Sequence, residues 1–266
     1  MKHPFDLTGK TAIVVGGAGG LGQQQAIGLA NAGAVVAVVD VNAERLASAI
    51  REIKQQGGNA RPFLTDITDP HAVQAMVHTV VAEFGRIDIL VNAAGITQRC
   101  PSEDFPEELF ERILNINLNG LFYACQSVGK VMIRQGGGRI INVASIFATV
   151  GLPESVAYSM SKGAVVQITR TLAVEWATSH IAVNGLMPSW FETPMGKVAD
   201  NRNQFYKGVA RVPSAEELKE KTIGRVPLGR YGMPHEIIGA TVFLASDAAS
   251  MVTGHLLAVD GGFLAQ

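Results

Sequence analysis

The chain has 266 residues, 47% of them hydrophobic, which is ample for one large α/β domain with a buried core. Its 22 Lys+Arg against 23 Asp+Glu give a net charge of -1 with no basic block able to neutralise a run of phosphates, so nucleic acid is not an expected partner. Cys100 and Cys125 are too few for a disulfide framework, and the start MKHPFDLTGK holds no apolar stretch suited to a signal peptide.

Thr11 to Val15 reads as a first strand, followed by glycines and a helix from about Leu21 to Asn31 that closes at Gly33. A strand over Val35 to Asp40, a helix over Ala43 to Gln56, a strand near Ala60 to Leu64, a helix over Asp69 to Phe84 and a strand over Ile89 to Asn92 continue the alternation. Two helices ending near Gln135 come next, then a strand over Arg139 to Val143, a helix over Val156 to Ala177 and a strand over Ile181 to Leu186. Between Pro188 and Pro227 the alternation lapses, a length suited to a substrate lid. It resumes with a helix over Pro234 to Ser246 and a last strand over Leu256 to Val259. Short β-branched runs separated by helices predict one doubly wound Rossmann domain over 1–266. Its mostly parallel seven-stranded sheet is flanked by helices on both faces. No apolar run approaches the roughly 20 residues a bilayer requires, so a soluble cytoplasmic protein without a membrane partner is expected.

Gly16-Gly17-Ala18-Gly19-Gly20-Leu21-Gly22 stands between the first strand and its helix. Such a loop lets the backbone approach a pyrophosphate at the helix N-terminus. Both GxGxxG (Gly17, Gly19, Gly22) and GxxxGxG (Gly16, Gly20, Gly22) fit it, and a flexible turn is the bland alternative. Asp40 closes the second strand, where its carboxylate would accept hydrogen bonds from the adenosine ribose. This predicts NAD, because a 2'-phosphate would meet like charge with no cation at Val41 or Asn42. Asp40 as a mere cap of the helix beginning at Ala43 is the competing reading. Asp66 would accept from the adenine amino group or cap the turn that follows it.

Tyr158 and Lys162 are four residues apart, hence on one face of their helix. A phenol acting as base near neutrality must be lowered from about 10 to roughly 7 or 8, some 3 to 4 kcal/mol. An adjacent ammonium and an oxidised nicotinamide would supply that. Alone, the pair is a common accident. Ser145 at the end of the Arg139 to Val143 strand strengthens it, because its hydroxyl would donate to a substrate oxygen at the sheet's carboxyl edge. The glycine loop and the Asn92-Ala93-Ala94-Gly95 turn lie on that same edge.

Over nearly its whole length the chain resembles the short-chain dehydrogenase/reductase family. Gly16, Gly20 and Gly22 resemble its cofactor loop, Asn92 to Gly95 its NAG turn, Asn117 its relay asparagine, and Ser145, Tyr158 and Lys162 the rest of its catalytic tetrad. Pro188, Thr193 and Pro194 resemble the stretch beside nicotinamide, and Asp260-Gly261-Gly262 the C-terminal signature. Ser189 departs from the family, which has Gly after the proline. The resemblance implies that Ser145 holds the carbinol oxygen and Tyr158 takes its proton. It also implies that Lys162 lowers the Tyr158 pKa and binds the nicotinamide ribose, with Asn117 holding a water. The cofactor-binding set expected is Gly16, Gly20, Leu21, Gly22, Asp40, Val41, Asp66, Ile67, Asn92, Ala93, Gly95, Tyr158, Lys162, Pro188 and Thr193. Helices bearing Asn117 and Tyr158, with the C-terminal strand, imply a homotetramer.

Gly95 to Arg99 and the last residues, Val259 to Ala265, look similar to gluconate and deoxygluconate dehydrogenases of the family. Arg99 would pair a sugar-acid carboxylate, though an arginine on a polar loop is also ordinary surface. Lys197, Arg202, Lys207 and Arg211 would add positive charge from the lid, while Trp190 and Phe191 would instead line an apolar pocket. Sugar acids, polyols, sugars and small cyclic alcohols all remain open as substrates. The six His form no ligand-spaced cluster, so no catalytic metal is expected. The alternatives are a 3-oxoacyl-thioester reductase of the same fold, which would take NADPH, and a non-catalytic dinucleotide-binding sensor.

Overall fold

The computed structural model describes residues 3–195 and 215–266. Its strands are β1 (Thr11–Val15), β2 (Val35–Asp40), β3 (Asn59–Leu64), β4 (Ile89–Asn92), β5 (Gly138–Val143), β6 (Ile181–Pro188) and β7 (Leu256–Val259). They form one sheet in the order β3-β2-β1-β4-β5-β6-β7. Every neighbouring pair is parallel, so the sheet is wholly rather than mostly parallel. Parallel strands need crossovers, and helices supply them: α1 (Gly20–Asn31), α2 (Ala43–Gln55), α3 (Pro70–Phe84), α4 (Glu107–Leu114), α5 (Leu121–Gln135) and α6 (Val156–Glu175).

Burial follows from strand geometry. Successive side chains point to opposite faces, so Ile13, Val15, Ala37 and Val39 enter one core with α3, α5 and α6, while Ala12, Val14, Val36 and Val38 enter the other with α1 and α2. The resulting near-continuous apolar strands, such as VVAVV in β2, are what a sheet covered on both faces demands.

Polar side chains inside this sheet are linked across strands, although Asn92 Oδ1 itself has no partner. Asn92 Nδ2 donates to Asn142 Oδ1 at 2.9 Å, and Asn142 Nδ2 donates to Thr169 Oγ1 at 3.0 Å, tying β4 to β5 and α6. Burial pushes the Cys125 thiol beside this chain up to about 12, against the lowering effect of its contacts with Asn92 and Asn142, so it is an inert thiol.

Four local features depart from the sequence expectation. β6 runs on to Pro188, and the helix expected over Pro234 to Ser246 is a 3-10 turn (Pro234–Ile237) followed by α8 (Ile238–Ala245). The junction of α4 and α5 is a π-helical turn (Asn115–Gly120), a wider winding that often marks functional sites. Within the expected lid lies α7 (Ala215–Ile223). Lys197, Arg202, Lys207 and Arg211 fall outside the described residues. Among the described residues no helix is long and apolar enough to cross a membrane.

Candidate active site

The strand order reverses between β1 and β4, and a crevice opens beyond the carboxyl ends of such neighbours because their crossovers leave on opposite faces. The glycine loop follows β1 and the Asn92 to Gly95 turn follows β4, and the two meet there. Gly16 has φ +74, and a Cβ on it would lie 2.6 Å from Ala94 Cα, so only glycine is accommodated. A Cβ on Gly22 would strike the Gly16 carbonyl and stand 3.1 Å from Ala93 Cβ. Gly20 also has positive φ, at +51, whereas Gly19 does not, which favours the GxxxGxG parse. Backbone this tight beside the N-terminus of α1 fits a pyrophosphate cradle. Leu21 packs into the core beneath the loop.

Asp40 ends β2 beside this loop. Its Oδ2 accepts from Ala18 N at 3.3 Å and its Oδ1 from Asn42 N at 3.1 Å. The cap of α2 is instead Asn42, whose side chain accepts from Arg45 N at 2.9 Å, so the reading of Asp40 as a helix cap is set aside. Val41, 69% exposed, offers an apolar shelf next to it. Asp66 is engaged locally: its Oδ1 accepts from Thr68 N at 2.9 Å and from Thr68 Oγ1 at 2.7 Å. Ile67 is buried against Gly120. The Asn92 side chain turns into the sheet core, so what it offers the crevice is backbone.

On the far side of the crevice stands the start of α6. Tyr158 is half-buried, and its hydroxyl is hydrogen-bonded with that of Ser145, which follows β5 and also accepts from Phe147 N at 3.2 Å. Burial pushes the Tyr158 phenol up, while the Ser145 contact pulls it back. Lys162, one turn further on and 4% exposed, donates from Nζ to Val143 O at 2.7 Å. Its Nζ lies 5.7 Å from the Tyr158 ring centroid, and burial brings its ammonium down to about 8.

Asn117, on the π-helical turn, is fully buried. Its Oδ1 accepts from Ile96 N at 2.8 Å, and its Nδ2 donates to Ile96 O at 2.9 Å and to Ser161 Oγ at 3.1 Å. Ser161 in turn donates to Tyr158 O at 2.7 Å. Asn117 and Ser161 thus clamp the loop after Gly95 to the helical turn carrying Tyr158 and Lys162. Gly95 sits at the focus, since a Cβ there would lie 3.3 Å from Asn117 Oδ1 and 3.5 Å from Lys162 Nζ. Sequence reasoning overlooked Ser161, although it lies within the Tyr158 to Lys162 span.

Pro188 closes β6 against Val259, and Ser189 N donates to Val259 O at 3.3 Å. Ser189 is not among the residues with positive φ, so serine stands there without left-handed strain. Thr193 reaches back to within 3.9 Å of where a Cβ on Gly20 would stand. Beyond it Trp190 stacks on Tyr231 and meets Phe147 and Phe263 edge-on, an aromatic cluster at the substrate end. Burial raises the Tyr231 hydroxyl, which a hydrogen bond to Thr222 and the charges of Lys219 and Arg99 oppose. Among the described residues, no three His, Cys, Asp or Glu gather as a metal site.

A wholly parallel sheet with a phosphate-type loop at its switch point, facing a Ser-Tyr-Lys cluster, defines an α/β oxidoreductase of the Rossmann type. A family model described as enoyl-(acyl carrier protein) reductase matches residues 16–264. D-threitol dehydrogenase of Mycolicibacterium smegmatis is 42% identical over 259 residues, 97% of this chain and 94% of the relative. Two solved structures superpose closely. A gluconate 5-dehydrogenase from Burkholderia cenocepacia in complex with NADP and tartrate is 34% identical, with TM-score 0.89, and covers 99% of this chain and 98% of that one. An NAD+-bound xylitol dehydrogenase is 35% identical, with TM-score 0.90, and covers 96% and 99%. The chain belongs to the short-chain dehydrogenase/reductase family.

Proposed function

We propose that the protein is an NAD-dependent dehydrogenase acting on a secondary alcohol of a polyol, sugar or sugar acid, or on the matching ketone. The observation that carries the reading is the Ser145 contact of the Tyr158 hydroxyl, with Lys162 Nζ 5.7 Å from the Tyr158 ring and 3.5 Å from the Cβ position of Gly95, in the turn after β4. Relatives named for threitol, xylitol and gluconate support the substrate class. The residues that would hold the dinucleotide are Gly16, Gly20 and Gly22 at the pyrophosphate, Asp40 and Val41 at the adenosine, and Gly95, Pro188, Thr193 and Lys162 at the nicotinamide end. When bound, NAD takes the hydride from the carbinol carbon.

Ser145 donates its hydroxyl hydrogen to the carbinol oxygen and holds it beside Tyr158. Tyr158, as phenolate, takes the hydroxyl proton while the carbon becomes a ketone. Lys162 stabilises that phenolate by its charge. Because burial alone raises the Tyr158 phenol, the ammonium and the positive nicotinamide ring must together overcome desolvation. Asn117 fixes the Gly95 loop against α6, and its role is positional. We assign Arg99 to the substrate side, where a carboxylate would be its partner. Phe122 and Ile133 on α5 and Met160 and Val174 on α6 are exposed apolar side chains, which supports a homotetramer joined through these helices.

Reduction of a 3-oxoacyl thioester is a second reading, favoured by a Thermotoga maritima relative, 36% identical over 258 residues, that is named a 3-oxoacyl-[acyl-carrier-protein] reductase. Asp40 weighs against it, through its charge beside the adenosine site. Initial rates of NADH formation over a panel of polyols, sugars and sugar acids test the proposal. Sustained turnover on one of them is the expected result. Reduction confined to acetoacetyl thioesters with NADPH would support the second reading, and dinucleotide binding without turnover on any substrate would mean a sensor.

The Asp40→Ala variant should shift the ratio of kcat/KM for NAD over that for NADP about tenfold toward NADP, since removing one like charge near a surface phosphate changes binding by about 1 to 2 kcal/mol. An unchanged ratio would leave Asp40 as a strut for the Ala18 backbone alone.

A further inference from the structure

Arg45 was not a candidate on sequence, because it stands five residues beyond Asp40. The fold brings it back over the glycine loop. Its Nη1 lies 3.9 Å from where a Cβ on Gly19 would stand. The preceding residue, Ala18, is the one whose N–H holds Asp40 Oδ2. Arg45 and Asp40 therefore flank the same two residues of backbone, with opposite charges. Among the described residues Arg45 forms no ion pair or side-chain hydrogen bond. Asp40 accepts from two backbone N–H groups, and Glu52, two turns further along the helix, accepts from Gln23 Nε2 at 2.6 Å.

We propose that Arg45 is a cofactor-specificity residue: its guanidinium pairs with an adenosine 2'-phosphate, so that the site admits NADP as well as NAD. The proposal rests on the dinucleotide reading given above. Asp40 sets the preference for the unphosphorylated ribose. Arg45 offsets the repulsion that Asp40 alone would impose, because a planar guanidinium offers two donors to phosphate oxygens. Gly19 adds no side chain between the loop and the guanidinium, which stands in van der Waals reach of its Cβ position. This arrangement accounts for a site that carries an acidic residue in a chain similar to a gluconate 5-dehydrogenase solved with NADP.

The test is calorimetric titration of the full-length protein with NAD and with NADP, for the parent and for Arg45→Gln and Arg45→Lys. Folding is not at issue, because the α2 cap uses the backbone N–H of Arg45 and its side chain is exposed. The parent should bind NADP with a Kd within roughly thirtyfold of that for NAD, and the gap should widen about tenfold in Arg45→Gln and less in Arg45→Lys. The NADP affinity of the parent should also fall more steeply with salt than the NAD affinity. A gap unchanged in Arg45→Gln overturns the proposal. So does equal weakening of both dinucleotides, which would place Arg45 at the pyrophosphate. NAD binding with no detectable NADP binding overturns it while leaving the dinucleotide site standing, whereas failure of both to bind removes the site itself.

Discussion

Tyr158→Phe is expected to lower kcat by at least a hundredfold while leaving the Kd for NAD within a few-fold of the parent, as read by steady-state kinetics and equilibrium titration. Positioned proton transfer contributes about 10²- to 10⁴-fold, and the variant removes the group that performs it. The ring itself stays. It is half-buried on the first turn of α6, and phenylalanine fills the same volume with the same contact to Lys162. What changes locally is one hydrogen bond, to a Ser145 hydroxyl that keeps its partner at Phe147 N. Binding and chemistry are thereby separated. More than a few per cent of residual turnover would assign the proton to another group.

Lys162→Met should abolish turnover and yet alter stability in a direction set by pH. Lys162 is 4% exposed with its ammonium value near 8, against 10.5 for a free lysine, so the folded protein carries a penalty of about 3 kcal/mol at neutral pH. Below pH 8 both states hold the proton and the penalty is full. Between about 8 and 10.5 the unfolded chain holds more protons than the native one, so stability rises with pH, and above 10.5 the penalty is gone. The variant has no such group, but it leaves the Val143 carbonyl without its Nζ donor, a loss of about 1 to 3 kcal/mol. Chemical-denaturation curves of both proteins from pH 7 to 10.5 should therefore show the variant at or above the parent at pH 7 and below it at pH 10.5. A difference that does not vary with pH would mean that Lys162 is solvated and its charge costs nothing.

The sheet was readable from sequence because burial on both faces leaves an unmistakable pattern. IVV, VVAVV and ILV are too short for helices and too apolar for loops, and turn residues bound them. The helices in between revealed themselves by period, although the helix expected from Asp69 begins at Pro70 with Asp69 as its cap. Tyr158, Lys162 and Ser145 were recoverable because their chemistry depends on one helical turn and one strand end, both local features. Arg45 was hidden for the opposite reason. Its place over Gly19 depends on how α2 returns across the loop, and a search for cations next to Asp40 in sequence stops at Asn42. Asn117 was found by its motif, but its use as a clamp on Ile96 and Ser161 depends on a π-helical turn that Asn-Ile-Asn-Leu-Asn-Gly does not announce. The helix from Ala215 to Ile223 was missed within the irregular stretch even though AEELKEK is composed of strong helix formers.

A phenol raised by burial becomes a usable base only once positive charge is gathered around it. Ultraviolet difference titration of tyrosinate formation, with and without saturating NAD, reads this directly when Tyr158→Phe is the reference. One ionisation is expected in the parent that lies above the ordinary phenol range in the free protein, moves down when NAD is bound, and is absent from the variant. An ionisation that NAD leaves unmoved, or one that persists in Tyr158→Phe, would contradict it.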